Sequence, residues 1–295
     1  MFRTLVSSTR ILAETRREYG LRRLARYSRT AVEYLLTLRR HPKPNEFDQP
    51  RVDHLPLAWP DLPPALDGLR IVQLSDLHVC AWMPLPLLQR AARLAVAQRP
   101  DVIVLTGDYI SHARHADRYA RIAAEGMADL RAPLGVYACL GNHDYEGDPR
   151  TIVREFERVG IPMLVNTHRR LAVGGEALWL LGVDSARSGR PDLARALAGV
   201  PGDGFKVLLA HEPDFADRVA PAAVHLQLSG HSHGGQIVVP SVPVRWLPRL
   251  GRKYPRGLYR IGDMALYTNR GLGAGVLPLR HNCPPEITVI QLKRG

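Results

Sequence analysis

The stretch IVQLSDLH, residues 71–78, decides how the rest of the chain is read. Its first four residues form a short, β-branched-rich apolar run of the kind that reads as a buried strand. Its last residues, Asp76 and His78, are ones a core would not accept. The same pattern recurs along the chain. VIVLTGDY (102–109) delivers Asp108, and VYACLGNHDY (136–145) delivers Asn142, His143 and Asp144. VLLAHEPD (207–214) delivers His211, and LQLSGHSHGGQ (226–236) delivers His231 and His233. In open α/β sheets, ligands bind outside the carboxyl ends of strands. All five clusters are predicted at such ends, so one site can collect them.

Spacing within the clusters adds detail. Asp76 and His78 are two apart, as are His231 and His233, so in an extended segment each pair points one way. Glycine precedes Asp108, Asn142 and His231, which permits tight turns into a cleft. Carboxylates, imidazoles and an amide oxygen together suit manganese, iron or zinc better than calcium. Each cluster alone is weak, since Gly-Asp is a common turn dipeptide and a single histidine is usually a surface or satisfied core residue. Five in order at strand ends are not a chance pattern.

Between the first strands, residues 85–97 and 119–130 have helical composition. Further strands are predicted at 178–183, 207–210, 226–228, 237–239, 265–268 and 287–292. Strand–helix alternation in the first half and denser strands in the second predict an α/β domain. Its mixed sheets would pack as a sandwich with helices outside. No internal repeat is present.

With 295 residues, 45% of them hydrophobic, the chain is long and apolar enough for a real core. Its 40 Lys+Arg against 28 Asp+Glu give +12, which suits phosphate-bearing partners without saying which. Cys80, Cys139 and Cys283 form no CxxC pair, arguing against a disulfide framework or structural zinc and for reducing surroundings. Residues 1–45 hold eleven basic residues against three acidic ones, so +8 of the +12 sits there. Arginine interrupts every apolar run in this segment, excluding a signal h-region or transmembrane helix. Leu21, Leu24, Ser28, Ala31, Leu35 and Leu38 step at helical spacing beside arginines. That pattern fits a helix in an anionic membrane interface and equally one packed on the catalytic domain. A mitochondrial transit peptide is disfavoured by the acids. Residues 46–68 are proline-rich and read as an extended linker, with the catalytic domain at 69–295.

The ordered set D-x-H, G-D, G-N-H-D, H and G-H-x-H resembles the calcineurin-like metallophosphoesterases, from about Ile71 to Leu292. SGHSHGGQI (229–237), KYPRGLY (253–259), NRGLG (269–273) and RHNCPPEIT (280–288) are similar to the YaeI/YkuE-type bacterial phosphodiesterases, relatives of UDP-2,3-diacylglucosamine pyrophosphatases. The resemblance implies a four-layer α/β/β/α sandwich holding two divalent metal ions, manganese first, with iron or zinc as alternatives. Asp76, His78 and His233 would hold one ion, Asn142, His211 and His231 the other, and Asp108 would bridge both. A metal-bridging hydroxide would attack phosphorus in a phosphodiester or pyrophosphate. His143 would protonate the leaving oxygen, with Asp144 orienting its ring. Members of the branch often carry a membrane anchor; here a basic amphipathic segment stands in that place.

These features predict a phosphate-ester hydrolase in the cytoplasm, peripheral on the inner face of the membrane, acting on a nucleotide-linked lipid. A nuclease or cyclic-nucleotide-type phosphodiesterase is the rival substrate class. Against nucleic acid, the charge precedes the motifs instead of interleaving with aromatics around them. A non-catalytic scaffold would be marked by lost ligands, and none of the seven is missing. Trp82 to Pro86, after the first motif, meet either an acyl chain or the core. Arg245, Trp246, Arg249, Arg252, Lys253 and Arg256 read as a phosphate grip or a solvated loop. Oligomeric state has no signature in the sequence.

Overall fold

The computed structural model describes residues 46–239, 244, 247–275 and 278–295. The basic segment 1–45 lies outside them. Two mixed sheets form the centre. One orders its strands β1 (Arg51–Trp59), β11 (Glu286–Arg294), β2 (Arg70–Leu74), β3 (Val102–Thr106) and β4 (Val136–Cys139). The other runs β5 (Thr167–Val173), β6 (Glu176–Gly182), β7 (Phe205–Leu209), β8 (Leu226–Ser229), β10 (Met264–Thr268) and β9 (Gly257–Ile261).

The sheets face each other over a shared core that includes Ile71, Val104, Leu180, Val207, Leu228 and Ile290. The outer face of the first sheet is covered by α1 (Leu85–Ala97), α2 (Ala116–Met127) and α3 (Pro149–Arg158). Short helices α4 (Leu193–Leu197) and α5 (Ala216–Val219) cover the second. The result is the expected four-layer α/β/β/α sandwich. Strands β2, β3 and β4 run parallel, as do β6, β7, β8 and β10, so their carboxyl ends share one rim.

The expected linker 46–68 is corrected. Residues 51–59 form β1, which pairs parallel with β11 through the register Arg51↔Glu286 to Trp59↔Arg294. Proline misled because it breaks helices, yet an edge strand tolerates it: β1 lies at the sheet edge and takes Pro56 within it. Leu57 and Trp59 are buried in the inter-sheet core, so this segment belongs to the domain. The strand expected at 237–239 is reduced to a single bridge, Ile237 to His281. No helix among the described residues is long and apolar enough to cross a membrane.

Candidate metal centre

Each polar cluster follows a strand on the common rim: Asp76 and His78 after β2, Asp108 after β3, Asn142 after β4, His211 after β7, and His231 and His233 after β8. The segments are not extended, which corrects the pairing argument from spacing. Asp76, His78, Asp108, His231 and His233 all have positive φ, between 47° and 70°. Side-chain-bearing residues enter this left-handed region at a cost, and such outliers cluster at functional sites. Neighbouring turns compensate by bonding to each other: Asp76 N–H donates to the Gly107 carbonyl at 2.9 Å and His78 N–H to that of Asp108 at 3.0 Å. Gly107 has φ +88°, and a Cβ there would come within 2.8 Å of His211 Nδ1. Only glycine leaves room for the ligand ring.

Six of the seven side chains meet in two clusters joined through Asp108. Asp76, His78 and His233 form one group, and Asp108, His211 and His231 another. Asp108 Oδ2 lies 3.0 Å from His211 Nε2 and 3.5 Å from His78 Nε2, so one carboxylate reaches both. His233 Nε2 lies 3.5 Å from Asp76 Oδ1 and 3.0 Å from His78 Nε2. Asn142 Oδ1 is buried and accepts no hydrogen bond among the described residues. A buried amide oxygen without a donor costs stability unless a cation or water meets it. That orphaned acceptor follows β4, beside the β3 turn that carries Asp108, and together with the carboxylate and imidazole clusters it fits a pair of divalent cations.

Outer groups set which imidazole nitrogen is available. His211 Nδ1 donates to the Thr106 carbonyl at 2.6 Å, freeing Nε2. His231 Nε2 donates to the Arg249 carbonyl at 2.8 Å, freeing Nδ1. Carbonyls only accept, so His211 Nδ1 and His231 Nε2 carry protons and the opposite nitrogen of each ring is the one a metal ion would take; such partners are the usual orienters of metal-binding histidines. The site's own charges are strongly interdependent. Burial pushes Asp76 up to about 6, with Asp108 adding to it. Burial takes His78 and His231 down to about 3. Asp108 is also buried, but His211 and His143 outweigh that and hold its carboxyl well below the usual range.

Asp144 has a different role from the one the family resemblance implied. Its carboxylate is fully buried and accepts from the backbone N–H groups of Gly141 (2.8 Å), Tyr109 (2.8 Å) and Asp108 (3.1 Å). The ring of His143 is oriented instead by the Ser111 carbonyl, 2.9 Å from Nδ1. Asp144 therefore clamps the β3 and β4 turns together. His143 is half-buried, its N–H donates to Asp108 Oδ1 at 2.7 Å, and its ring stands 4.9 Å from that of His78. With His78 and Asp108 it forms a third close group, so it borders the candidate metal centre.

Several supporting residues lie in the NRGLG and RHNCPPEIT stretches, which the sequence marked as family-like without giving any of them a role. Glu286 forms an ion pair with Arg270, its Oε2 2.7 Å from Nε, and accepts from the Arg270 backbone N–H at 3.1 Å. Gly273 N–H then donates to the Asp76 carbonyl at 2.7 Å, pressing the 269–273 loop onto that ligand. Arg280, fully buried, donates to the Arg270, Gly273 and Cys283 carbonyls and lies 3.3 Å from His233 Nδ1. In the loop after the first motif, Met83 is buried and Trp82 packs on the core. Within the basic stretch, Lys253 pairs with Asp217 at 2.7 Å while Arg249 and Arg256 are exposed. Arg245 and Trp246 lie outside the described residues.

Comparison with known proteins gives the family of the chain. Residues 69–235 match the family described as calcineurin-like phosphoesterase. The chain is 35% identical over 234 residues to the uncharacterized metallophosphoesterase YkuE of Bacillus subtilis, covering 79% of this chain and 82% of that one. It is 33% identical over 232 residues to phosphodiesterase YaeI of Escherichia coli, covering 76% and 82%. Against the UDP-2,3-diacylglucosamine pyrophosphatase LpxG of Chlamydia trachomatis it is 28% identical over 279 residues, covering 77% and 84%.

Proposed function

We propose that this chain, a metal-dependent phosphoric ester hydrolase belonging to the calcineurin-like phosphoesterase family, cleaves a phosphodiester or pyrophosphate bond with manganese in both half-sites. One observation carries the two-metal reading: Asp108 Oδ2 stands within 3.5 Å of imidazoles from both half-sites. Asp76, His78 and His233 would hold one ion, Asn142, His211 and His231 the other, with Asp108 shared. Two such cations, when bound, neutralise phosphoryl oxygens and lower the pKa of bound water.

The chain's own residues supply the rest. With Nδ1–H held by the Ser111 carbonyl, His143 exchanges its proton at Nε2 and delivers it to the leaving oxygen. Asp144 fixes the turns that present Asp108 and Asn142, so both ligands are placed before substrate arrives. A nucleotide-linked lipid at a membrane surface is the favoured substrate class. Likeness to LpxG and the +8 charge of residues 1–45 support it. Purified, manganese-loaded enzyme should be assayed on bis(p-nitrophenyl) phosphate, UDP-2,3-diacylglucosamine and single-stranded DNA. Turnover of the first two, with DNA untouched, is expected. Cleavage of DNA alone would replace this reading with a nuclease.

A further inference from the structure

Two buried carboxylates at the rim of the sandwich supply no metal ligand: Asp184, in the loop after β6, and Glu212, next to His211. Asp184 accepts from the hydroxyl of Tyr145 at 2.5 Å and from the backbone N–H groups of Ser185 and Arg190, both at 2.8 Å. Glu212 accepts from Ser185 Oγ at 2.6 Å and from Ala186 N–H at 2.8 Å. Ser185 is fully buried and so bonds both acids at once. The loop closes tightly around Asp184: a Cβ at Gly189 would run into its carboxylate. Bonds of this charge-assisted kind are the strong ones.

Together they bridge the two sheets. Tyr145 sits in the short helical turn His143–Glu146, and its N–H donates to the Asn142 carbonyl at 3.4 Å. That turn follows β4 in the first sheet, whereas His211 follows β7 in the second. The path Asn142–Tyr145–Asp184–Ser185–Glu212–His211 therefore joins two ligands that come from opposite sheets. Both fall in the same half-site. The half-site of Asp76, His78 and His233 also spans the sheets, but its link is direct. There the Asp76 carboxylate accepts the His231 N–H at 3.1 Å, with no third element between them. Groups that orient a ligand from behind set metal affinity nearly as much as the ligands do.

We infer that the Tyr145–Asp184 and Ser185–Glu212 bonds are positioning contacts that set the spacing of Asn142 and His211, and so control the affinity of that half-site for its ion while leaving the other half-site alone. The inference rests on the two-metal reading above. Calorimetric titration of the full-length, metal-stripped protein with manganese tests it without turnover. Wild type should take up two ions in two steps. Tyr145→Phe keeps the ring and loses only the hydroxyl. It should weaken one step roughly tenfold, as for other groups that support ligands, and leave the other within about twofold. The step that weakens should be the one that Asn142→Ala weakens or removes. Ser185→Ala cuts the bridge at its far end and should weaken the same step. Because the two bonds act in series, the double variant should add less than about twofold to either single one. Equal weakening of both steps, no weakening, a different step from that of Asn142→Ala, or full additivity of the two cuts would each overturn the inference. Wild type that takes up a single ion would overturn the two-metal reading itself.

Discussion

The carboxylate of Asp144 accepts a hydrogen bond from the backbone N–H of Asp108 at 3.1 Å, so one buried acid holds the main chain of the acid that both half-sites share. Two further N–H donors, from Tyr109 and Gly141, complete the clamp. Replacing Asp144 by Ala strips three buried donors of their acceptor, each worth about 1–3 kcal/mol. Metal affinity should fall by roughly 10–100-fold, as for other residues that support ligands, together with thermal stability. Metal titration and melting of Asp144→Ala check this. Retention of full metal affinity with only proton transfer impaired would return Asp144 to the ring of His143.

His143 separates binding from chemistry. His143→Gln should keep both metal ions while kcat falls by about two orders of magnitude or more. The loss should shrink on esters whose leaving group needs no proton. Equal losses on p-nitrophenyl and alkyl esters would count against the general-acid role.

Asp76 makes a contribution of definite sign to the pH dependence of the chelated protein, opposed by His78 and His231, which burial holds down to about 3. Burial raises its carboxyl from 3.8 to about 6, so the folded chain binds this proton more tightly than the unfolded one. That contribution to stability is complete below pH 3.8 and is lost as pH rises through about 6. Metal binding needs the ionised carboxylate, so the stabilisation by manganese should grow over the same window. Melting curves from pH 4 to 7.5, with EDTA and with manganese, should diverge as pH rises. Curves that stay parallel would show that Asp76 does not ligate.

Residues 1–45 lie outside the described structure, but their +8 charge makes a testable demand. Attraction to an anionic surface amounts to about 1 kcal/mol per arginine near it and weakens as the Debye length falls from about 10 Å at 0.1 M salt to 3 Å at 1 M. Full-length protein should sediment with phosphatidylserine vesicles at low salt, release at high salt, and fail to bind once residues 1–45 are removed. Indifference of the full-length protein to such vesicles would remove the membrane from the account.

The metal-bearing turns were legible because each follows an apolar run that has no other reason to end in Asp, Asn or His. Five of the six later strand predictions fall on strands, since β6, β7, β8, β10 and β11 are buried along most of their length. Exposed edge strands were not legible, whereas β4, also at an edge but largely buried, was. β5 is largely exposed, and its arginines, Arg169 and Arg170, break the apolar pattern. Its one available signal was the pair Gly174-Gly175, both at positive φ, which closes the β5–β6 hairpin. Arg280 and Glu286 could not be found from spacing. Their importance comes from burial against the 269–273 loop, and no local pattern encodes burial of a charged residue.

The central claim is that Asp108 joins two metal half-sites. Metal content of purified protein, measured by plasma mass spectrometry after manganese loading, tests it most directly. Wild type should hold two ions per chain, and Asp108→Asn no more than one, with turnover nearly abolished. Asp108→Asn with two ions and wild-type activity would contradict the account.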